Sequence, residues 1–161
     1  MKIEPFKFEY LVYDSIDELT NQDALLLSKA RDVTEAAYAP YSNFNVGAVA
    51  KLINGEIVTG TNQENASYPV SLCAERSLLA SAASLYPNIA IESMAISYNN
   101  KNGQSLHPIS PCGMCRQSLV EYEERVKKPI RLILSGLHGK IIIIEKASLL
   151  LPLSFGSIDL K

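Results

Sequence analysis

Phe44-Asn45-Val46-Gly47-Ala48-Val49-Ala50-Lys51-Leu52, followed by Ile53-Asn54-Gly55-Glu56 and Ile57-Val58-Thr59-Gly60-Thr61, reads as a β-hairpin. Phe44, Val46, Ala48, Ala50 and Leu52 alternate strictly, the period of a strand with one face buried. Asn54-Gly55 is the strongest short hairpin turn, because both residues tolerate positive φ. Ile57, Thr59 and Thr61 alternate in the return strand. Toward the C-terminus, Leu78, Leu79, Ala82 and Ala83 predict a helix over 73–85, stopped by Pro87. A strand over 89–97 follows, then a helix over 112–126 behind Pro111. Ile130, Leu132 and Leu134 predict another strand, and 140–145 a last one after a turn at His138-Gly139, with a short helix at 147–151. Toward the N-terminus, Leu26, Ala30, Val33 and Ala37 recur at helical spacing up to Pro40. Thr20 with Asp23 three residues on makes a variant of the capping box at that helix's start. Phe6, Phe8, Tyr10 and Val12 alternate within 3–13, a strand signal. After that segment the order is α-β-β-α-β-α-β-β-α, so the expected class is α/β, one sheet sandwiched between helices.

Composition narrows the function. The 161 residues fit one domain. No apolar run approaches the roughly 20 residues of a membrane span, and Met1 to Thr20 mixes charges with aromatics, unlike a signal peptide. A cytoplasmic protein with no membrane partner is expected. Fifteen basic residues against 17 acidic ones give a net charge of −2, which argues against a nucleic-acid polymer as partner. Three cysteines cannot all pair, and an odd set in a reducing compartment suits a metal or catalysis better than disulfides.

All three cysteines stand at predicted helix starts. Cys112 and Cys115, at i and i+3, share one face of a first turn and reach a common ion. Helix N-termini carry free N–H groups and partial positive charge, which favour the thiolates zinc requires. With Cys73, three protein ligands leave the fourth position open for a water, which zinc acidifies, whereas structural zinc sites close with four. Glu75, two residues after Cys73, stands within reach of that water as its proton carrier. Arg76 has a physical rationale of its own: three thiolates leave Zn²⁺ with a net charge of −1, and a guanidinium donating to the sulfurs would restore its Lewis acidity.

Cys73-Ala74-Glu75 with Pro111-Cys112-x-x-Cys115 matches the zinc nucleobase deaminase motif, in which the first ligand is His or Cys and Glu is the acid/base. Ala39-Pro40-Tyr41-Ser42-x-Phe44-x-Val46-Gly47-Ala48, Asn62 through Tyr68, Ser110 through Gln117, and Leu151-Pro152 with Phe155 extend the match. Over about residues 24–160 the chain resembles the small three-cysteine, homotetrameric cytidine deaminases. The resemblance implies a cytidine-deaminase-like domain over 21–161 with a five-stranded mixed sheet, preceded by an N-terminal extension over 1–20. It implies one Zn²⁺ per subunit on Cys73, Cys112 and Cys115, with Glu75 as proton shuttle. Asn62 and Glu64 would hold the ribose, Phe44 would pack on the pyrimidine, and the Ala74 backbone would hydrogen-bond the base. Arg76 would donate to the sulfurs, and Phe155 would reach a neighbouring subunit's site in a homotetramer. The implied reaction is hydrolysis of cytidine or 2′-deoxycytidine to uridine or deoxyuridine and ammonia, in pyrimidine salvage.

Three other readings compete. A blasticidin-type or other amino-pyrimidine deaminase would share the cysteines and Glu75, but Glu64 speaks for a ribose-bearing substrate. A polynucleotide editor would need a basic channel and stacking platforms, against which the acidity and the lack of Trp weigh. A structural zinc module would need a fourth protein ligand. His107, five residues before Cys112, is the nearest offer of one, and it reads as a loop histidine.

Overall fold

The computed structural model describes residues 1–160; Lys161, the last residue of the expected domain, lies outside the described residues. Six strands, β1 (Leu11–Tyr13), β2 (Phe44–Leu52), β3 (Ile57–Thr61), β4 (Ile91–Asn100), β5 (Arg131–Ser135) and β6 (Ile141–Ile144), form one mixed sheet in the order β1-β6-β5-β4-β2-β3. Three helices join them: α1 (Asn21–Asp32), α2 (Ala74–Leu85) and α3 (Gly113–Val126). The hairpin turns where Asn54-Gly55 predicts, with Gly55 at φ 88° and its amide donating to the Leu52 carbonyl at 2.9 Å. β4 and β5 are parallel, which requires a crossover, and α3 supplies it.

The alternation read from β2 decides which residues meet which helix. Ala48, Ala50 and Leu52 face α2 and α3, packing with Met94, Ile96, Leu78, Ala82 and Leu119. Val49, Ala95, Ile133 and Ile143 point the other way, onto Leu26, Leu27 and Ala30 of α1. The sheet is therefore covered on both faces. Among the described residues no helix is long and apolar enough to cross a membrane.

The sheet has six strands, not the five expected. The sixth comes from the N-terminal segment: Leu11–Tyr13 pair antiparallel with Ile141–Ile143 of β6. An uncovered β6 would present open backbone groups along a run of four isoleucines, and β1 covers that edge. The strand signal over 3–13 is realised only in these three residues, because β6 ends at Ile144 and leaves residues 3–10 almost no ladder to join. The capping box is realised by half. Thr20 accepts from the Asp23 amide at 3.2 Å, but the Asp23 carboxylate turns to Arg131, at 2.7 and 3.0 Å. β4 runs on to Asn100, three residues beyond the strand expected at 89–97, because Asn99 and Asn100, polar as they are, pair with Asn45 and Phe44.

Candidate active site and metal centre

Two helix N-termini converge where β2 begins and β4 ends. Cys73 and Cys112 are the N-cap residues of α2 and α3, and neither sulfur caps its own helix. The first-turn amides keep their partial positive charge, and the sulfurs stay free to face one another. Cys115, in the first turn of α3, completes the group: Cys73 Sγ to Cys112 Sγ is 3.8 Å, Cys112 Sγ to Cys115 Sγ is 3.5 Å, and all three lie within 4.8 Å of one another. Sulfurs on three corners of a tetrahedron with Zn–S bonds near 2.3 Å stand about 3.8 Å apart. The spacing and the donor set fit zinc. A hydrogen bond from the Cys115 thiol holds the Cys73 thiol down at about 6 against the opposing pull of burial, and the same bond pushes Cys115 up.

Glu75 is 5% exposed, and burial pushes its carboxyl above the ordinary carboxylate value. The neighbouring Cys115 thiol offsets part of that rise. Glu75, Cys73, Cys112, Ala74, Phe44, Asn62 and Glu64 all line one cleft of about 480 Å³. A groove of about 530 Å³ on the α1 side is no smaller, but it contains no cysteine, and four of its charged side chains are paired, Arg131 with Asp23 at 2.7 Å and Lys51 with Glu92 at 2.8 Å.

The cleft wall is held by hydrogen bonds that the amino-acid pattern did not reveal. Asn62 clamps β2 with both ends of its amide: Nδ2 donates to the Phe44 carbonyl at 2.8 Å, and Oδ1 accepts from the Val46 amide at 2.7 Å. Glu64 accepts from the backbone amides of Tyr41 and Ser42, at 2.9 and 3.3 Å, through one oxygen. Desolvation pushes its carboxyl up, but the Ser42 hydroxyl and those two amides together outweigh it, and its pKa lies below the ordinary value. Arg116 ties down the segment before Cys112, donating to the Pro111 carbonyl at 2.7 Å and the Leu150 carbonyl at 3.0 Å. It lies inside the Ser110 to Gln117 motif, yet only the fold reveals its partners.

Two predicted residues stand apart from the cleft. Arg76 lies beside Tyr122 and Arg125 and favours the Cys73 thiolate through its charge, while the hydrogen bonds of the sulfurs run among the cysteines. Phe155 is 60% exposed and lines no part of its own chain's cleft; its carbonyl accepts from Gln117 Nε2 at 2.9 Å. His107 is directed toward Tyr98, with Nδ1 3.4 Å from the Tyr98 hydroxyl, and is not part of the sulfur cluster. Tyr98 is a residue the amino-acid pattern did not single out; its ring stacks on Phe44 with centroids 4.8 Å apart.

Comparison with known proteins agrees with this geometry. The family model of the cytidine and deoxycytidylate deaminase zinc-binding region matches residues 20–130. The cytidine deaminase of Halalkalibacterium halodurans is 35% identical over 137 residues, covering 85% of this chain and 96% of its own. That of Mycobacterium tuberculosis H37Rv is 37% identical over 110 residues, covering 66% and 78%. The crystal structure of cytidine deaminase from Burkholderia pseudomallei superposes with a TM-score of 0.71 at 35% identity, over 85% of this chain and 100% of the other. With so much of the zinc-binding region and of the backbone held in common, the chain belongs to the cytidine and deoxycytidylate deaminase family.

Proposed function

We propose that this chain hydrolyses cytidine, 2′-deoxycytidine or both to uridine or deoxyuridine and ammonia, as a step of pyrimidine salvage. One observation carries the reading: a buried carboxylate, Glu75, shares a cleft with the zinc-spaced sulfurs and with Phe44, Asn62 and Glu64. One Zn²⁺ per subunit would be held by Cys73, Cys112 and Cys115. Bound there, it supplies the Lewis acidity that brings the pKa of water down to near neutrality.

The rest falls to the chain's own groups. Glu75 takes a proton from the attacking water and passes it to N3 of the cytosine ring as oxygen adds at C4. It then carries the second proton to the departing amino group, so ammonia leaves and a C4 carbonyl remains. Burial raises the Glu75 carboxyl above its ordinary value, which makes it a better proton acceptor than an exposed carboxylate. Phe44 offers its ring to the face of the pyrimidine, and the Ala74 backbone, at the start of α2, hydrogen-bonds the base. Glu64, with one oxygen engaged by Tyr41 and Ser42, has the other for sugar hydroxyls. Asn62 supports the ribose side while clamping β2. Arg76 tunes the sulfurs by its charge.

A small neutral nucleoside, rather than a polynucleotide, suits a cleft of this size on a chain of net charge −2. The cytoplasm, where thiolates stay reduced, suits three unpaired cysteines. The exposed Phe155 fits a homotetramer in which it completes a neighbour's site.

Ammonia release from cytidine, deoxycytidine, cytosine and blasticidin by the zinc-loaded protein tests the reading. The two nucleosides are expected to react. Glu75→Gln should retain the metal and lose turnover by at least about 10²-fold. Release that Glu75→Gln leaves unchanged, or a preference for blasticidin, overturns it.

A further inference from the structure

We infer that Tyr98 and His107 are positioning residues for the nucleobase-facing wall: Tyr98 sets the plane of the Phe44 ring, and His107 locks Tyr98 to the segment that leads to Cys112. The inference rests on the deamination proposed above and names what holds its base site. The register of the sheet makes the pair. Val46 lies opposite Tyr98 and Phe44 opposite Asn100, so Phe44 and Tyr98 are diagonal neighbours on one face of the β2–β4 ladder. Their rings stack at 4.8 Å with planes 12° apart. Phe44 lines the cleft, whereas Tyr98 is 1% exposed and stands behind it. A Phe ring with one face open to a cleft is free to tilt; one backed by a nearly parallel ring in a packed core is not, since its edge would enter its neighbour.

Tyr98 is held in turn. Its hydroxyl lies 3.4 Å from His107 Nδ1, and the two rings meet edge to face at 5.9 Å and 62°. His107 belongs to the segment between β4 and α3, which is fastened at two points. The Asn100 amide donates to Ser105 Oγ at 2.8 Å, and the His138 amide donates to the Ser105 carbonyl at 3.2 Å. Gly136 and Gly139 pass so close to the Ser105 and Leu106 carbonyls that no Cβ fits at either glycine. Five residues beyond His107 the same segment delivers Cys112. An unbroken line of contacts thus runs from the Phe44 ring through Tyr98 to the strand-to-helix segment that carries a sulfur.

A wall that meets the base alike before and during reaction contributes uniform binding, which is read in KM and not in kcat. The experiment measures KM and kcat for cytidine, the dissociation constant for uridine, and zinc content, in the wild type, Tyr98→Leu, Tyr98→Phe and His107→Phe. Tyr98→Leu is expected to raise KM and the uridine constant together by about three- to tenfold, the scale of one aromatic pair. Its kcat should stay within about twofold and its zinc content unchanged. Tyr98→Phe, which keeps the ring, should recover most of the loss. The pair Tyr98→Phe and His107→Phe should be no worse than the larger single change, since both remove the same bond. An unmoved KM in Tyr98→Leu overturns the inference, as does a fall in kcat and zinc with KM unmoved, the mark of a general folding role. Should Tyr98→Leu fail to fold, His107→Ala decides: it frees the Tyr98 hydroxyl and ring edge from the segment and is expected to raise KM and the uridine constant together, and both unmoved overturns the inference. A wild type that releases no ammonia overturns the proposed function and this inference with it; a working wild type with an unmoved KM overturns this inference alone.

Discussion

Cys112 carries its sulfur at the protein surface, so its value to the site separates from its value to the fold, whereas the half-buried Glu64 serves both. Cys112 is an exposed N-cap whose sulfur caps nothing. Cys112→Ala is therefore expected to leave the unfolding free energy of the metal-free protein within about 0.5 kcal/mol of wild type. The same change removes one corner of the sulfur triangle and should abolish stoichiometric zinc. Urea unfolding beside elemental analysis checks both halves, and a Cys112→Ala protein purified with a full zinc would sink the assignment of this ligand. Glu64 makes a pH argument. Its carboxyl titrates below the ordinary value when folded, so it stabilises the fold above the unfolded pKa, and that contribution disappears as pH falls through the lower folded one. Glu64→Gln should unfold at lower urea than wild type at neutral pH, and the gap should close as pH falls below the ordinary carboxylate range. A gap of equal size at both pH values contradicts the hydrogen-bonded carboxylate. Much of this was legible in the sequence: the three sulfurs and Glu75 lie in two short motifs at helix starts, and the i, i+3 spacing puts Cys112 and Cys115 on one face. The partners of Glu64 and both ends of Asn62 were not, because Tyr41, Ser42, Phe44 and Val46 offer backbone groups, which look the same whatever the side chain.

At the scale of elements, the N-terminus of α2 carries both Cys73 and Glu75, so how closely that helix lies on the sheet decides where the chemistry sits. Gly60 of β3 permits the approach. A Cβ there would lie 2.5 Å from the Ala74 carbonyl oxygen and from the Leu78 amide nitrogen, and 2.8 Å from the Leu78 Cβ. Two of these atoms are helix backbone, which cannot swing aside as a side-chain tip can. Gly60→Ala is expected to push the start of α2 outward, costing about 1–3 kcal/mol. It should also weaken zinc binding, because Cys73 moves while Cys112 and Cys115, on α3, stay in place. A chelator titration against a urea melt distinguishes the two effects, and zinc affinity equal to wild type would place the strain elsewhere. The hairpin, helices α1 to α3 and the strands around them were readable because hydrophobic period, Asn54-Gly55 and the prolines agree with one another. The pairing of β2 with β4 was not, since alternation tells which residues share a face but not which register brings Val46 opposite Tyr98. Tyr98 therefore stayed invisible as the backing of Phe44.

For the molecule as a whole, the N-terminal segment divides into two parts with different energetics. Residues 1–10 are exposed throughout and carry Phe6, Phe8 and Tyr10 as a ladder of rings 6.3 and 6.2 Å apart. Residues 11–13 form β1 and cover the edge of β6, and Tyr13, Ile16 and Leu19 pack against the core on the α1 side. Composition could not separate the two parts, because the same aromatic alternation runs through both; what differs is whether β6 extends far enough to receive it. Deletion of residues 1–10 is expected to leave the unfolding free energy within about 0.5 kcal/mol, as for other surface changes. Deletion through residue 13 removes a strand and exposes the backbone of Ile141–Ile144, an edge with high β-propensity and no charge. That protein should lose about 1–3 kcal/mol and scatter light at concentrations where the shorter deletion stays clear. Urea midpoints with light scattering at matched concentration compare the two. A shorter deletion that itself lowers the midpoint would mean that the aromatic ladder packs against another copy of the chain, and a longer one that stays clear would mean that β6 needs no cover.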